Sequence, residues 1–275
     1  IGAVMVDTVR DGIAGTDAAD LPVIAQVSPF SRDAVFNQGD VTIKDVAGLY
    51  IYDNTLLGVE MTGAELRDYL EYSAKFFVQV DEGATFDPET GTNAVLAGTP
   101  VPDYNYDALT GVDYRINISK PVGERIEGLS YDGTPVADTD RFVLAVNNYR
   151  QSGGGGFPHV TTAPVVYNEL VEIRQQMIEY AQTSGVIDPA DFFVENWALV
   201  TSSEVTPTPD PSETPTTTPD PGDPGSPTAT PGASVTPTAS GDPSVTTTGS
   251  PSGASTRRTC GASASRATAA RTATR

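Results

Sequence analysis

Hydrophobic residues recur with regular periods over residues 1–200, and these periods predict both helices and strands. Residues 1–14 carry apolar positions near helical spacing, which predicts a short helix. Apolar runs predict buried strands over residues 22–27, 56–61 and 142–146. Polar and turn-forming residues separate these runs, so we expect helices and strands to alternate along the chain.

Two further helices are predicted from an apolar face together with start and stop signals. Thr62 and Glu65 match the capping-box pattern, in which each side chain accepts a hydrogen bond from the other residue's backbone N–H. The apolar face that follows is formed by Leu66, Leu70, Ala74 and Phe77. A second face is formed by Leu170, Ile173, Met177 and Tyr180, with Gly185 placed to end that helix.

The remaining patterns complete an α+β prediction. Strict alternation over residues 112–118 predicts a half-buried strand, and Asp132-Gly133 predicts a hairpin turn. Residues 41–52 combine alternating and continuous apolar positions, which indicates a strand that leads into a loop. Residues 81–104 are rich in Gly, Pro, Asp and Thr and predict a long loop. The expected fold class is α+β, with short mixed strands and two or three helices.

Composition changes abruptly at residue 201. Residues 201–255 hold 12 of the 22 Pro, among Thr, Ser, Asp and Gly, a composition that favours extended polyproline II and cannot bury a core. A surface spacer and an ordinary interdomain linker both fit, and we favour the spacer. The predicted organisation is a domain over residues 1–200, a disordered spacer over 201–255 and a basic low-complexity end over 256–275.

The basic end has two interpretations. Residues 256–275 carry five Arg and no acidic residue. They represent either a tail that binds an anionic polymer or a GC-rich gene read out of frame, and we favour the frame error. Translation of the other reading frames tests this. The chain also begins at Ile1 without Met, so we expect a fragment that lacks an upstream portion.

Charge and composition exclude several classes of protein. The net charge is −20, of which residues 1–200 contribute −19, so nucleic-acid binding is disfavoured. No run of about 18 apolar residues is present, so no membrane span is expected. The single cysteine, Cys260, excludes an intrachain disulfide framework, and the single histidine, His159, excludes a two-histidine zinc site or a di-metal centre in this chain.

The candidate binding feature is the segment NNYRQSGGGGF, residues 147–157, where a predicted strand meets four glycines. Glycines allow a ligand to approach the backbone closely, and Tyr149 at the strand end is suited to stacking on a planar base. The alternative is a tight loop with Tyr149 packed in the core, and the residues alone leave both open. Tyr52 stands in a similar position before Asp53-Asn54.

Two isolated residues also admit two interpretations each. Arg32 lies in the turn-rich segment 28–33, and a guanidinium group suits phosphate oxygens, although a solvated turn arginine fits equally well. His159 follows Pro158 after the glycine run, and we favour a surface or structural histidine over a ligand. The many carboxylates indicate a solvated acidic surface rather than a catalytic pair.

Three ordered segments together resemble the C-terminal domain of the 5′-nucleotidase family. They are residues 39–77, 104–126 and 147–157. The Tyr-x-Asn-Thr and Asn-Asn-Tyr-Arg motifs within them most resemble the bacterial 2′,3′-cyclic-nucleotide 2′-phosphodiesterase/3′-nucleotidase branch. The resemblance spans almost all of residues 1–200.

The resemblance implies one half of a two-domain enzyme. An N-terminal calcineurin-like metallophosphoesterase domain with two divalent metal ions would perform the chemistry, and the C-terminal domain would bind a nucleotide or nucleoside between two aromatic side chains. Tyr52 and Tyr149 match those aromatics. The implied substrate-binding residues are Tyr52, Tyr149, Asn54, Arg32, Gly153 and Gly154. The implied location is extracellular or cell-wall associated, in a bacterium.

The sequence also departs from the family pattern. Gly155 and Val27 stand where some members carry aspartate and asparagine. The chain has no metal-ligand motif, so it is expected to supply no catalytic or metal-binding residue and to bind nucleotide without hydrolysing it. The metallophosphoesterase domain is expected in the same polypeptide. A non-catalytic cell-surface nucleotide-binding or display module remains the alternative, and the DNA upstream discriminates between the two.

Overall fold

The computed structural model describes residues 1–31 and 33–203. In this part of the chain the α-helices are α1 (Gly2–Gly12), α2 (Ile43–Leu49), α3 (Gly63–Ala74), α4 (Asn148–Gln151) and α5 (Ile173–Ser184). The strands are β1 (Val23–Val27), β2 (Leu56–Thr62), β3 (Val95–Leu96), β4 (Thr99–Pro100), β5 (Ala108–Thr110), β6 (Asp113–Asn117), β7 (Ile126–Tyr131), β8 (Thr134–Pro135), β9 (Arg141–Asn147), β10 (Val165–Tyr167) and β11 (Trp197–Val200).

A five-stranded mixed sheet lies at the centre, with the strand order β10-β2-β9-β1-β5. Strands β1 and β9 are parallel, whereas β2 runs antiparallel to β9, and β5 runs antiparallel to β1. A second, four-stranded sheet has the order β11-β6-β7-β8, and β3 pairs with β4 as a small hairpin. The α+β class predicted from the sequence is therefore confirmed.

The central sheet is covered on both faces. Along β9, Phe142, Leu144 and Val146 belong to one hydrophobic core, and Val143 and Ala145 belong to another. Successive side chains of a strand point to opposite faces, which explains why this run is apolar throughout. Residues of α3 and the four-stranded sheet close the first core, and residues of α1, α2 and α5 close the second.

The start of α3 follows the predicted capping box. The Thr62 hydroxyl accepts a hydrogen bond from the Glu65 backbone N–H at 3.3 Å, and the Glu65 carboxylate accepts one from the Thr62 N–H at 2.7 Å. Such a cap is worth about 1 kcal/mol. Leu66, Leu70 and Ala74 are buried, as their spacing predicts.

Most other elements also lie where the pattern places them. The predicted helix over residues 1–14 is α1, and β1, β2 and β9 match the predicted buried strands. The Asp132-Gly133 turn joins β7 to β8. Helix α5 ends before Gly185, but Leu170 precedes this helix and is exposed.

The prediction of a strand over residues 41–52 is wrong. Residues Ile43–Leu49 form α2, which begins at Thr42 with a second capping box, since the Asp45 carboxylate accepts a hydrogen bond from the Thr42 N–H at 2.8 Å. Tyr52 therefore follows a helix rather than a strand. The apolar positions here are too few to distinguish the two-residue period of a strand from the 3.6-residue period of a helix. The Thr42-x-x-Asp45 spacing is the signal that identifies the helix.

Several predictions fall on residues outside the described part. Arg32 is one, and the others are the spacer from residue 204 onward and the basic end, which includes Cys260. Their interpretations therefore stay predictions. Within residues 1–31 and 33–203, no helix has both the length and the apolar character that crossing a bilayer requires.

Candidate functional site

Four chain segments meet at one end of the central sheet. Leu56 at the start of β2 pairs with Asn147 at the end of β9, and Val27 at the end of β1 pairs with Ala108 at the start of β5. Because β1 and β9 are parallel, both pairs lie at the same end. We call this end the loop edge, and it comprises residues 28–31, 50–55, 104–107 and 148–157.

Tyr52 is presented at the loop edge above a buried tyrosine. Tyr50 is fully buried, its ring centroid lies 4.4 Å from that of Phe30, and Tyr52 meets it edge-on at 6.2 Å. The Asn54 amide donates a hydrogen bond to the Tyr50 hydroxyl at 3.1 Å. Burial raises the pKa of Tyr50 to about 12, so its hydroxyl stays protonated at neutral pH. The Tyr52 side chain itself remains 44% exposed.

Tyr149 lies in the short helix α4 that follows β9. The Asn147 side-chain oxygen caps this helix by accepting a hydrogen bond from the Arg150 N–H at 2.8 Å. Gly153 then adopts a φ of +99°, which glycine tolerates best. The backbone of Gly154 lies against the Tyr149 ring, where a Cβ would come within 2.5 Å of ring atoms. Tyr149 is 46% exposed, so it is not a core residue.

Backbone contacts join the two tyrosine-bearing segments. The Asn148 N–H donates to the Thr55 carbonyl at 2.9 Å, and the Asn148 side-chain oxygen accepts from the Thr55 N–H at 3.2 Å. These bonds extend the β2–β9 pairing beyond the last ladder residues. The structure therefore brings Tyr52, Asn54 and Tyr149 to the same end of the central sheet.

A buried ion pair lies directly beneath the loop edge. Arg150 is 2% exposed and Asp107 is 1% exposed, and the guanidinium group binds both carboxylate oxygens at 2.7 and 2.8 Å. Tyr69 and Ser28 each donate a hydroxyl hydrogen bond to the same carboxylate at 2.5 Å. A buried ion pair is stable only when its remaining polar atoms are also satisfied, and these bonds meet that condition.

The electrostatics of this network favour a charged Arg150 and a protonated Tyr69. Burial acts to lower the pKa of Arg150, but the hydrogen bonds and charge of Asp107 outweigh it and leave the pKa above its ordinary value. Burial, followed by the charge of Asp107, raises the pKa of Tyr69 well above its ordinary value. Tyr69 therefore remains a hydrogen-bond donor to the carboxylate.

Arg150 also holds two loops together. Its guanidinium group donates to the Tyr104 carbonyl at 2.5 Å, to the Gly154 carbonyl at 3.2 Å and to the Asn105 side chain at 3.2 Å. It also lies 4.4 Å from the centroid of the Phe157 ring. The motif containing Arg150 was recognised from the sequence, but its role was not. Neither Asp107 nor Tyr104 was singled out.

A cavity of about 490 Å³ opens beside the loop edge. Its lining includes the aromatic side chains of Tyr52 and Tyr104 and the polar side chains of Ser31 and Lys44. Ligand pockets typically measure about 300–1,000 Å³, so this cavity is of suitable size. Tyr149, Asn54, Gly153 and Gly154 are not among its lining residues.

The other singled-out side chain lies apart from this arrangement. His159 contacts the Asp68 carboxylate of α3 at 2.8 Å in an exposed setting, which agrees with a surface or structural histidine. Among residues 1–31 and 33–203, no group of three or more His, Cys, Asp or Glu side chains is arranged to hold a metal ion.

Comparison with known proteins agrees with this fold. Residues 2–162 match the family model described as 5′-nucleotidase, C-terminal domain. The chain belongs to this family. The trifunctional nucleotide phosphoesterase protein YfkN of Bacillus subtilis is 35% identical over 205 residues, a match that covers 67% of this chain and 13% of that protein.

A second relative is the 2′,3′-cyclic-nucleotide 2′-phosphodiesterase/3′-nucleotidase of Yersinia enterocolitica. It is 31% identical over 216 residues, which cover 70% of this chain and 32% of that protein. The chain thus spans a third or less of the length of these relatives. A solved 5′-nucleotidase from Staphylococcus aureus, in complex with α-ketoglutarate, has a TM-score of 0.56 and 26% identity, covering 72% of this chain and 35% of that chain.

Proposed function

We propose that residues 1–200 bind the substrate of a nucleotide phosphohydrolase of the 5′-nucleotidase and 2′,3′-cyclic phosphodiesterase type, with the base between Tyr52 and Tyr149. The observation that carries this proposal is the exposure of both tyrosines at one end of the sheet, on segments joined through Thr55 and Asn148. A half-exposed aromatic ring on a rigid support is suited to stacking, because little ordering entropy remains to be lost on binding.

Charge cannot account for recognition of an anionic ligand here. Residues 1–200 carry a net charge of −19, which repels a phosphate at long range. Binding must therefore draw on local contacts, chiefly stacking worth about 1–3 kcal/mol per base. The cavity lining holds Lys44 together with the carboxylates of Asp33 and Asp45, and the proposed phosphate contact of Arg32 remains a prediction. Asn54 acts through its bond to Tyr50, and Gly153 and Gly154 shape the turn that supports Tyr149.

For the whole protein, the proposal includes a metallophosphoesterase domain in the same polypeptide. Two divalent metal ions in that domain would supply the electrophile and the activated water, and this chain would deliver the nucleotide to them. An extracellular or cell-wall location belongs to the same proposal. Both rest on the membership of the family and on the greater length of the relatives.

The test is the affinity of the purified chain for adenosine and uridine, measured by calorimetry. Tyr52→Ala and Tyr149→Ala should each weaken binding by about 1–3 kcal/mol, because each removes one stacking surface. Tyr180→Ala is the matched control, since Tyr180 is also exposed, at 38%, but lies on α5 outside the loop edge. Wild-type affinity in both tyrosine variants would contradict the proposed site.

A further inference from the structure

Tyr104 is a third exposed aromatic side chain at the loop edge. It is 47% exposed and, like Tyr52, lines the cavity of about 490 Å³. It belongs to a short 3-10 turn, Asp103–Asn105, that leads into β5. A single exposed aromatic side chain is common on protein surfaces, so the informative observation is that Tyr104 shares a cavity with Tyr52.

The backbone that carries Tyr104 is fixed from below. Its carbonyl accepts a 2.5 Å hydrogen bond from the buried guanidinium group of Arg150, and its N–H donates to the Asp103 carboxylate at 2.8 Å. Arg150 is itself held by both oxygens of Asp107. The ring is therefore displayed on a rigid support. None of these bonds involves the Tyr104 side chain, so the ring can be removed without losing them.

The same guanidinium group links the backbone at Tyr104 to the glycine turn. Arg150 binds the carbonyl of Gly154, whose backbone lies against the Tyr149 ring. The Asn105 side chain lies so close to Gly155 that a Cβ there would come within 2.5 Å of its oxygen. The turn of Tyr104 and the turn that supports Tyr149 thus form one packed unit, held by one buried ion pair.

We infer that Tyr104 is a substrate-contacting residue whose ring packs against the ribose and the edge of the base on the cavity side of Tyr52, because Tyr52 and Tyr149 occupy the two faces of the base. The inference rests on the proposed function and adds to it a third aromatic contact. Two aromatic side chains that line one cavity of this size lie within reach of one bound nucleoside. Arg150 acts through Tyr104 and Gly154, as a positioning residue rather than a contact.

The first test compares nucleoside affinities of Tyr104→Ala and Tyr104→Phe. The alanine variant should bind adenosine about two- to 13-fold more weakly, as expected for the loss of one edge-on aromatic contact. The phenylalanine variant keeps the ring and should stay within about twofold of wild type. Both should unfold at the wild-type urea midpoint, because the bonds at residue 104 are made by its backbone.

The outcomes separate this inference from the proposed function. If Tyr52→Ala weakens binding while Tyr104→Ala does not, the contact at Tyr104 is refuted and the proposed site stands. If the wild-type chain binds neither adenosine nor uridine, the proposed function fails, and the inference fails with it. If Tyr104→Phe is as weak as Tyr104→Ala, the contact is not made by the aromatic ring, and the inference as stated is wrong.

A second measurement does not depend on a truncated side chain. A 3-fluorotyrosine introduced at position 104 should change its ¹⁹F chemical shift during titration with adenosine, because the ribose and the edge of the base would lie against the ring. The same label at position 180 is the control and should not respond. A saturating titration that moves neither signal would overturn the inference.

Discussion

Two buried arginines of the described residues differ in what their guanidinium groups bind. Arg125 is 1% exposed and donates to the carbonyls of Ala74 and Phe77, both at 2.8 Å, at the end of α3. Arg150 is 2% exposed and binds the carboxylate of Asp107. The first arginine satisfies the carbonyls that a helix end leaves free, whereas the second forms an ion pair that joins two loops.

The protonation energetics of the two arginines differ in the same way. Burial lowers the pKa of Arg125, and the charge of Glu71 opposes this only in part. The pKa of Arg150 is raised, because the hydrogen bonds and charge of Asp107 overcome the effect of burial. The comparison shows that burial alone does not indicate function. The partner of the buried charge decides whether it stabilises a helix end or joins two loops.

The largest expected effect is at the ion pair. Arg150→Leu should lower the free energy of unfolding by about 3–5 kcal/mol, because it leaves the Asp107 carboxylate buried without a cation. Urea denaturation measures this. The double variant Arg150→Leu/Asp107→Leu should be less destabilised than the sum of the single variants. If the losses of the two single variants simply add up in the double variant, Arg150 and Asp107 are not energetically coupled. The contrast drawn here between Arg150 and Arg125 would then be wrong.

A smaller effect is expected at the helix end. Arg125→Met should lower the free energy of unfolding by about 1.5–3 kcal/mol, because buried carbonyls lose a charged hydrogen-bond donor. Its nucleoside affinity, measured under conditions where the variant is folded, should equal that of wild type. A loss of affinity comparable to that of Tyr149→Ala would show that Arg125 also supports the site.

The smallest effect on stability is expected in the glycine turn. Gly154→Ala should cost about 1–3 kcal/mol and weaken nucleoside binding, because a Cβ would come within 2.5 Å of the Tyr149 ring and displace it. Gly48→Ala in α2 is the control, and it is expected to raise the free energy of unfolding rather than lower it. Its Cβ would enter open space, so this helix should gain about 0.5–1 kcal/mol. A destabilised Gly48→Ala together with a neutral Gly154→Ala would contradict this account of the turn.

The parts of the fold that were predictable depend on contacts between near neighbours in sequence. The Thr62–Glu65 capping box spans one helical turn, and the Asp132-Gly133 turn joins adjacent strands. The run in β9 is long enough to identify a buried strand. Helix α2 was missed because its seven residues hold too few apolar positions for a period to be read, although its cap was present in the sequence.

The candidate site was predictable in part, for a similar reason. Tyr52 and Tyr149 stand in short motifs, so a resemblance could identify them. Tyr104 ends a segment predicted only as a loop, and nothing local marks it as exposed beside a cavity. The pairing of Arg150 with Asp107 spans 43 residues of sequence, and no period or motif reports a contact at that separation.

The sequence by itself determined the α+β class, the family resemblance, the acidic character of the domain and the two tyrosines of the proposed base site. The class and the acidic character follow from local periodicity, turn chemistry and composition, whereas the two tyrosines follow from short motifs that resemble a known family. Only the tertiary structure decided which segments meet at the loop edge, that Arg150 is buried against Asp107, and that Tyr104 shares a cavity with Tyr52. Strand order and long-range packing determine these contacts, and residues far apart in the chain contribute to each of them.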